Sequence, residues 1–123
     1  MSKTILAIGL DPAFANLSEI PELSVDLVRA FIDQQIGRMS EHGFYANACL
    51  IDRGETAEMT VENALRAQHY DCIVIGAGLR EPPELLNLFE RIINIVHKLA
   101  PDSRIAFNTT PADTAEAALR WIG

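Results

Sequence analysis

Residues 69–83 read His-Tyr-Asp-Cys-Ile-Val-Ile-Gly-Ala-Gly-Leu-Arg-Glu-Pro-Pro. Between Asp71 and Gly76 the apolar residues follow one another without a polar break. A strand with one wet face alternates, so an unbroken run of this length predicts a strand covered on both sides. The same reading applies to Thr4-Ile5-Leu6-Ala7-Ile8-Gly9-Leu10, which Asp11-Pro12 stops. Two more strands are expected at 45–51, closed by Asp52-Arg53-Gly54, and at 104–108.

Helical periodicity fills the gaps. Val25, Val28, Ile32, Ile36 and Met39 recur at spacings of three and four, the period of a helix with one buried face. Ser24 offers an N-cap oxygen, and His42-Gly43 ends that helix. Thr56 or Thr60 can cap a second helix carrying Val61, Ala64 and Leu65 toward Tyr70. A third runs from about Pro83 to Ala100, where Pro101 stops it, and a terminal helix covers 112–121. Strand and helix alternating through short connections imply parallel strands joined by right-handed crossovers. The expected architecture is a three-layer α/β sandwich with a mainly parallel, four-stranded sheet. One connection stands out: Asp11 to Leu23 is longer than most strand-to-helix loops. It holds Phe14, Leu17 and Ile20, so it either packs down or acts as a lid.

Composition bounds the function. A chain of 123 residues, 49% apolar and 22% charged, suits one α/β domain over 1–123 and not a disordered segment. Its net charge of −7 disfavours nucleic acid or acidic membranes as partners through a general basic field. No stretch approaches the roughly 18 apolar residues of a membrane helix, and the first apolar run is too short for a secretory signal. A cytoplasmic location is expected. Cys49 and Cys72 sit in apolar runs with no metal-ligand spacing and read as buried thiols. His42, His69 and His97 lie in separate elements, so no metal site is expected.

The segment from Thr56 to Pro83 resembles the second helix and third strand of response-regulator receiver domains, a branch of the flavodoxin-like fold. "TILAIGLDP" at 4–12 is similar to their first strand, and "RIAFNTT" at 104–110 to their fourth, with its terminal Thr. The resemblance implies an aspartyl phosphoacceptor after the third strand and paired acids after the first. Here the third strand runs into Gly76-Ala77-Gly78, and Gly9-Leu10 leave only Asp11 as an acid. One carboxylate does not make the oxygen-rich site that magnesium requires. The likeness therefore implies a flavodoxin-like or Rossmann-like fold, with strand order 2-1-3-4, without phosphorelay chemistry.

In open parallel sheets ligands bind beyond the carboxyl ends of strands, where strand order reverses. That point falls between the first and third strands. The loops meeting there hold Asp11, Gly76, Gly78 and Arg80, with Asn108, Thr109 and Thr110 beside them. Gly76 and Gly78 allow close backbone approach and positive φ, and Arg80 offers a cationic fork for a small anionic ligand. The same residues also read structurally. Gly-Ala-Gly suits a tight turn, Arg80 suits an ion pair with Asp11, Glu81 or Glu84, and Thr110 or Asp113 suits a helix cap. "GAGLRE" lacks the third glycine of a dinucleotide fingerprint and there is no Walker lysine, so no cofactor is assigned. No nucleophile elbow or Ser/His/Asp set is present, and no catalytic residue is assigned.

The third helix is apolar beyond one face: Leu85, Leu88, Phe89, Ile92, Val96 and Leu99 form a stripe, with Leu86, Ile93 and Ile95 partly outside it. Either a homodimer forms through the third and fourth helices, or the terminal helix covers the excess. Two functions remain open: a small-molecule site at the strand tips, or a non-catalytic receiver-like module for dimerisation and protein docking.

Overall fold

The computed structural model describes residues 2–15 and 24–123. Its strands are β1 (Thr4–Leu10), β2 (Tyr45–Ile51), β3 (Cys72–Ile75) and β4 (Arg104–Phe107). Its helices are α1 (Val25–Glu41), α2 (Ala57–Ala67), a single turn α3 (Ala77–Arg80), α4 (Leu86–Leu99) and α5 (Thr114–Ile122). The expected third and fourth helices are thus α4 and α5. The turn α3, and a 3₁₀ turn at Pro83–Leu85 that precedes α4, were not anticipated. All strand pairs are parallel, in order β2-β1-β3-β4. The result is the three-layer α/β sandwich with flavodoxin-like strand order.

The layers follow from the two-residue period of the strands. Leu6, Ile8 and Leu10 of β1 join Ile73 and Ile75 of β3 on one face, under Val61 and Leu65 of α2 and Leu88, Ile92 and Val96 of α4. Ile5 joins Cys72, Val74 and Ala106 on the other face, under Met39 of α1 and Ala115, Ala117, Ala118 and Ile122 of α5. Each large aliphatic side chain fully buried here contributes about 1.5–3 kcal/mol relative to exposure. Ile93 and Ile95, which looked surplus, pack partly buried against the α2–α4 core. It is α2, and not the terminal helix, that shares that face with α4.

Local signals act largely as read. Ser24 Oγ accepts the Leu27 N–H at 3.1 Å, and Gly43 leaves α1 at φ +86°, a conformation that glycine adopts without strain. At α2, however, Thr56 occupies the cap position without capping. Its hydroxyl and N–H both donate to Asp52, whose carboxylate also accepts the Gly54 N–H. These bonds hold the Asp52 carboxyl below its usual range, the Thr56 hydroxyl first among them. In the connection after β1, Phe14 is 45% exposed and so does not pack down. Leu17 and Ile20, which carried the rest of that expectation, lie outside the described residues.

Asp71 ties the leading ends of β1 and β3. Its Oδ2 accepts the Thr4 N–H at 2.7 Å, and its own N–H donates to the Thr4 carbonyl at 2.8 Å. The Thr4 amide bond chiefly holds the Asp71 carboxyl below its ordinary value. A carboxyl depressed in the folded state stabilises above its unfolded pKa, and the effect disappears as pH falls through the folded value. Asp71→Asn should therefore lower stability at pH 7 by roughly 0.5–1 kcal/mol, since the group is partly exposed. Urea melts should show the gap to wild type closing below about pH 4, where an unfolded aspartate becomes protonated.

Candidate functional site

The tips after β1, β3 and β4 share one rim, because Ile8, Ile75 and Phe107 are in register across the three strands. Gly76 donates its N–H to the Ile8 carbonyl at 2.8 Å, carrying the sheet one residue past β3. It then caps α3, its carbonyl accepting the Leu79 and Arg80 N–H groups, each at 3.1 Å. Its φ is −73°, and among the described residues only Gly43 and Gly54 have positive φ, so the expected left-handed turn at Gly76 and Gly78 is not formed. What these glycines provide is space. A Cβ on Gly76 would meet only Gly9 Cα and the Ile8 carbonyl at ordinary contact distance, and one on Gly78 or Gly9 would meet nothing within 4 Å.

Asn108, 6% exposed, locks the rim together. Its Oδ1 accepts the Ala77 N–H at 2.7 Å and its Nδ2 donates to Thr114 Oγ1 at 3.0 Å, joining α3 to α5. Thr109 and Thr110 follow as a turn held by Asp113, whose Oδ1 accepts both backbone N–H groups. Burial alone would raise the Asp113 carboxyl. The Thr109 hydroxyl and the two amides more than offset that and hold it below the usual carboxylate range. Asp113 stands at the α5 cap position but makes no cap bond, and Thr110 Oγ1 accepts from Ala112 instead. The expected capping of α5 by either residue does not occur.

Asp11 is not brought into this set, and Arg80 meets it only through the Asn108 carbonyl. The Asp11 carboxylate caps the 3₁₀ turn at Pro12–Phe14 and pairs with Arg29 at 2.7 Å. Arg80 makes none of the three expected ion pairs. Its Nη2 donates to the Asn108 carbonyl at 2.8 Å, and its guanidinium lies 5.5 Å from the centroid of the Phe107 ring. Phe107 in turn packs against Phe89 of α4, so the guanidinium sits toward the α2–α4 layer. Its Nε is enclosed without a partner.

On the other face lies a cavity of about 920 Å³, within the usual size range of small-molecule sites. Its floor is Ala48-Ala7-Val74 in one cross-strand row and Leu50-Gly9-Gly76 in the next. Its helical wall is Val28, Phe31, Ile32, Gln35, Ile36 and Met39 of α1. Gly78, Asn108, Thr109 and Thr110 close the end toward α5; among the described residues Arg53, Glu81 and Glu84 are its charged lining. Arg53 Nε donates to the Phe14 carbonyl at 2.7 Å. Five of the seven residues expected at the site thus border one cavity, and Asp11 and Arg80 do not.

Sequence reading missed the wall and floor. Gln35 was legible as a polar residue three after Ile32 and four before Met39, inside an apolar stripe. Ala7, Gly9 and Ala48 carried the weaker signal of small residues in strands. Cys49 and Cys72 are buried, and desolvation pushes both thiols up to about 11, so neither is poised as a nucleophile. Among the described residues no three of His, Cys, Asp and Glu gather as metal ligands, and no helix is long and apolar enough to cross a membrane.

No family model matches the chain, and no curated protein matches it. A solved structure that does is the "putative lipoprotein from Peptoclostridium difficile 630 (fragment)", with a TM-score of 0.55 at 12% identity. The match covers 96% of this chain and 93% of that one. At that identity the likeness shows the fold alone.

Asn108→Ala should cost about 1–3 kcal/mol, because it strands the buried Ala77 N–H and removes the donor to Thr114. Urea unfolding checks this; an unchanged midpoint would mean that the rim holds together without the Asn108 side chain.

Proposed function

We propose that the protein binds a small, largely apolar molecule between α1 and the carboxyl ends of β1 and β3. One observation carries the reading: the α1 face of the sheet is floored by Ala7, Gly9, Ala48 and Gly76, under a helix that presents Val28, Phe31 and Ile32 across the gap. Interiors normally close such gaps to near-crystalline density. The place fits as well, since it is the switch point of a parallel sheet.

The anionic ligand expected from Arg80 is less favoured by this geometry. The guanidinium is occupied by Asn108 and Phe107, while Glu81 and Glu84 line the cavity. An apolar body with a small polar group suits the lining better than a phosphate does. The buried free thiols fit the reducing cytoplasm, which remains our assignment.

A second reading keeps the homodimer through α4 and α5. These helices flank the edge strand β4 on opposite faces, and Leu86 (55%), Phe107 (38%) and Trp121 (53%) are exposed there. Burying them against a second copy would contribute on the order of 1.5–3 kcal/mol each, and would cover an open strand edge. Light scattering should then give twice the chain mass at micromolar concentration. A monomer at several hundred micromolar would end the dimer reading.

The binding reading is tested with Nile red, a neutral dye that brightens in apolar surroundings. Wild type should enhance its fluorescence saturably. Gly9→Phe, which fills the cavity from the floor, should weaken that binding at least tenfold while the thermal midpoint holds or rises, because glycine inside a strand is itself destabilising. Equal dye binding by both proteins would place the dye, and the proposed site, elsewhere.

A further inference from the structure

Among the cavity-lining residues of α1, Gln35 is the one polar side chain, and at 2% exposed it is almost wholly buried. Its carboxamide is held from one side: Oε1 accepts the N–H of Ala115, in the first turn of α5, at 2.8 Å. A backbone N–H can only donate, so the atom facing it must be the oxygen, and the amide's orientation is settled by chemistry. The nitrogen therefore points elsewhere. Among the described residues Nε2 meets no acceptor, although it can donate two hydrogen bonds. Among those residues the fully enclosed side-chain atoms without partners are Arg80 Nε and Glu116 Oε2, so Gln35 Nε2 still meets open space. The open space that Gln35 borders is the cavity.

A buried donor without an acceptor is costly, and native proteins seldom tolerate one. Water or a ligand must satisfy it. Of the neighbours of Gln35 on the wall, Phe31 and Ile32 offer no acceptor through their side chains and Met39 only a weak thioether sulfur. Carboxylates at 81 and 84 disfavour a ligand that brings its own negative charge.

Building on the binding reading above, we propose that Gln35 Nε2 is the orienting donor of the cavity. The ligand class is then a neutral apolar molecule bearing a carbonyl oxygen, such as a ketone or ester. The carbonyl meets Nε2, and the hydrocarbon body lies on the Ala7-Gly9-Ala48 floor. Because Oε1 already accepts the Ala115 N–H, the free group that Gln35 offers a ligand is the Nε2 donor, which favours an acceptor.

The test compares acetophenone with ethylbenzene, which has nearly the same shape but lacks the oxygen, as displacers of Nile red. The protein pair is wild type and Gln35→Glu, which keeps an acceptor for the Ala115 N–H and replaces the donor by an oxygen. The ratio of acetophenone to ethylbenzene affinity should fall about tenfold in the variant, as expected when one good hydrogen bond to ligand is lost. An unchanged ratio overturns the Gln35 assignment while leaving the cavity intact. Failure of Nile red to bind wild type overturns the binding reading itself, and the assignment with it. A measurement on wild type alone covers the case in which Gln35→Glu does not fold. The Gln35 side-chain NH₂ proton resonances should move downfield with saturating acetophenone and stay nearly still with ethylbenzene; equal movement with both ligands overturns the assignment.

Discussion

The pleat of β1 divides its side chains unequally, and most of the molecule's architecture depends on that division. Leu6, Ile8 and Leu10 face one way and Ile5, Ala7 and Gly9 the other. The first face is thick with branched aliphatics and closes against α2 and α4. The second thins toward the carboxyl end, from Ile5 through Ala7 to Gly9, so α5 and the last turns of α1 pack there while the first turns stand away. Because successive residues of a strand alternate sides, a shift of register by one residue would exchange the two faces and abolish both the core and the gap. The proposed binding thus draws on the face of β1 whose core ends short of the carboxyl end, while stability draws on both faces.

The polar end of the cavity is organised by amides more than by charge. Asn108 binds α3 to α5, and Gln35 binds α1 to the start of α5. Each satisfies a backbone group that would otherwise be orphaned at a helix start. Two buried carboxamides are cheaper to keep in an apolar setting than ions would be, since neither carries a net charge to desolvate. The ions nearby are dealt with locally: Arg80 against Phe107 and the Asn108 carbonyl, Asp113 within its own turn, Asp11 by Arg29. The charges left on the cavity lining are Arg53, Glu81 and Glu84 among the described residues, and dispersion forces and directed hydrogen bonds act over the rest of it.

Two of the exposed aromatic groups lie away from the cavity. Phe107 and Trp121 stand by the β4 edge, whereas the cavity floor is made by β1, β2 and the end of β3. The two proposed surfaces therefore do not compete for the same residues. Helix α5 touches both: Thr114 at its start borders the cavity, and Trp121 near its end is open to solvent. A partner at the edge and a ligand in the cavity would be felt by the same helix.

Fold class was legible because it rests on patterns local in the chain. The unbroken runs at Thr4–Leu10 and Cys72–Ile75, and the three-four spacing from Val25 to Met39, each need only neighbouring residues to be read. The strand order came with the resemblance to the flavodoxin-like fold, since alternation alone fits more than one order, and the rim of tips followed from the order. The partners of polar side chains could not be read this way. Arg80 bonds a carbonyl 28 residues along the chain and Gln35 a backbone amide 80 residues along, distances across which one sequence carries no pairing signal. Tertiary packing alone decided that Arg80 turns to the β4 tip and away from the cavity, and that Gly76, besides starting the α3 turn, gives part of the cavity floor. It also decided that a glutamine inside an apolar stripe becomes the most deeply buried polar residue among those described. Periodicity reports which face of an element is buried, but only the assembled layers determine what that face meets.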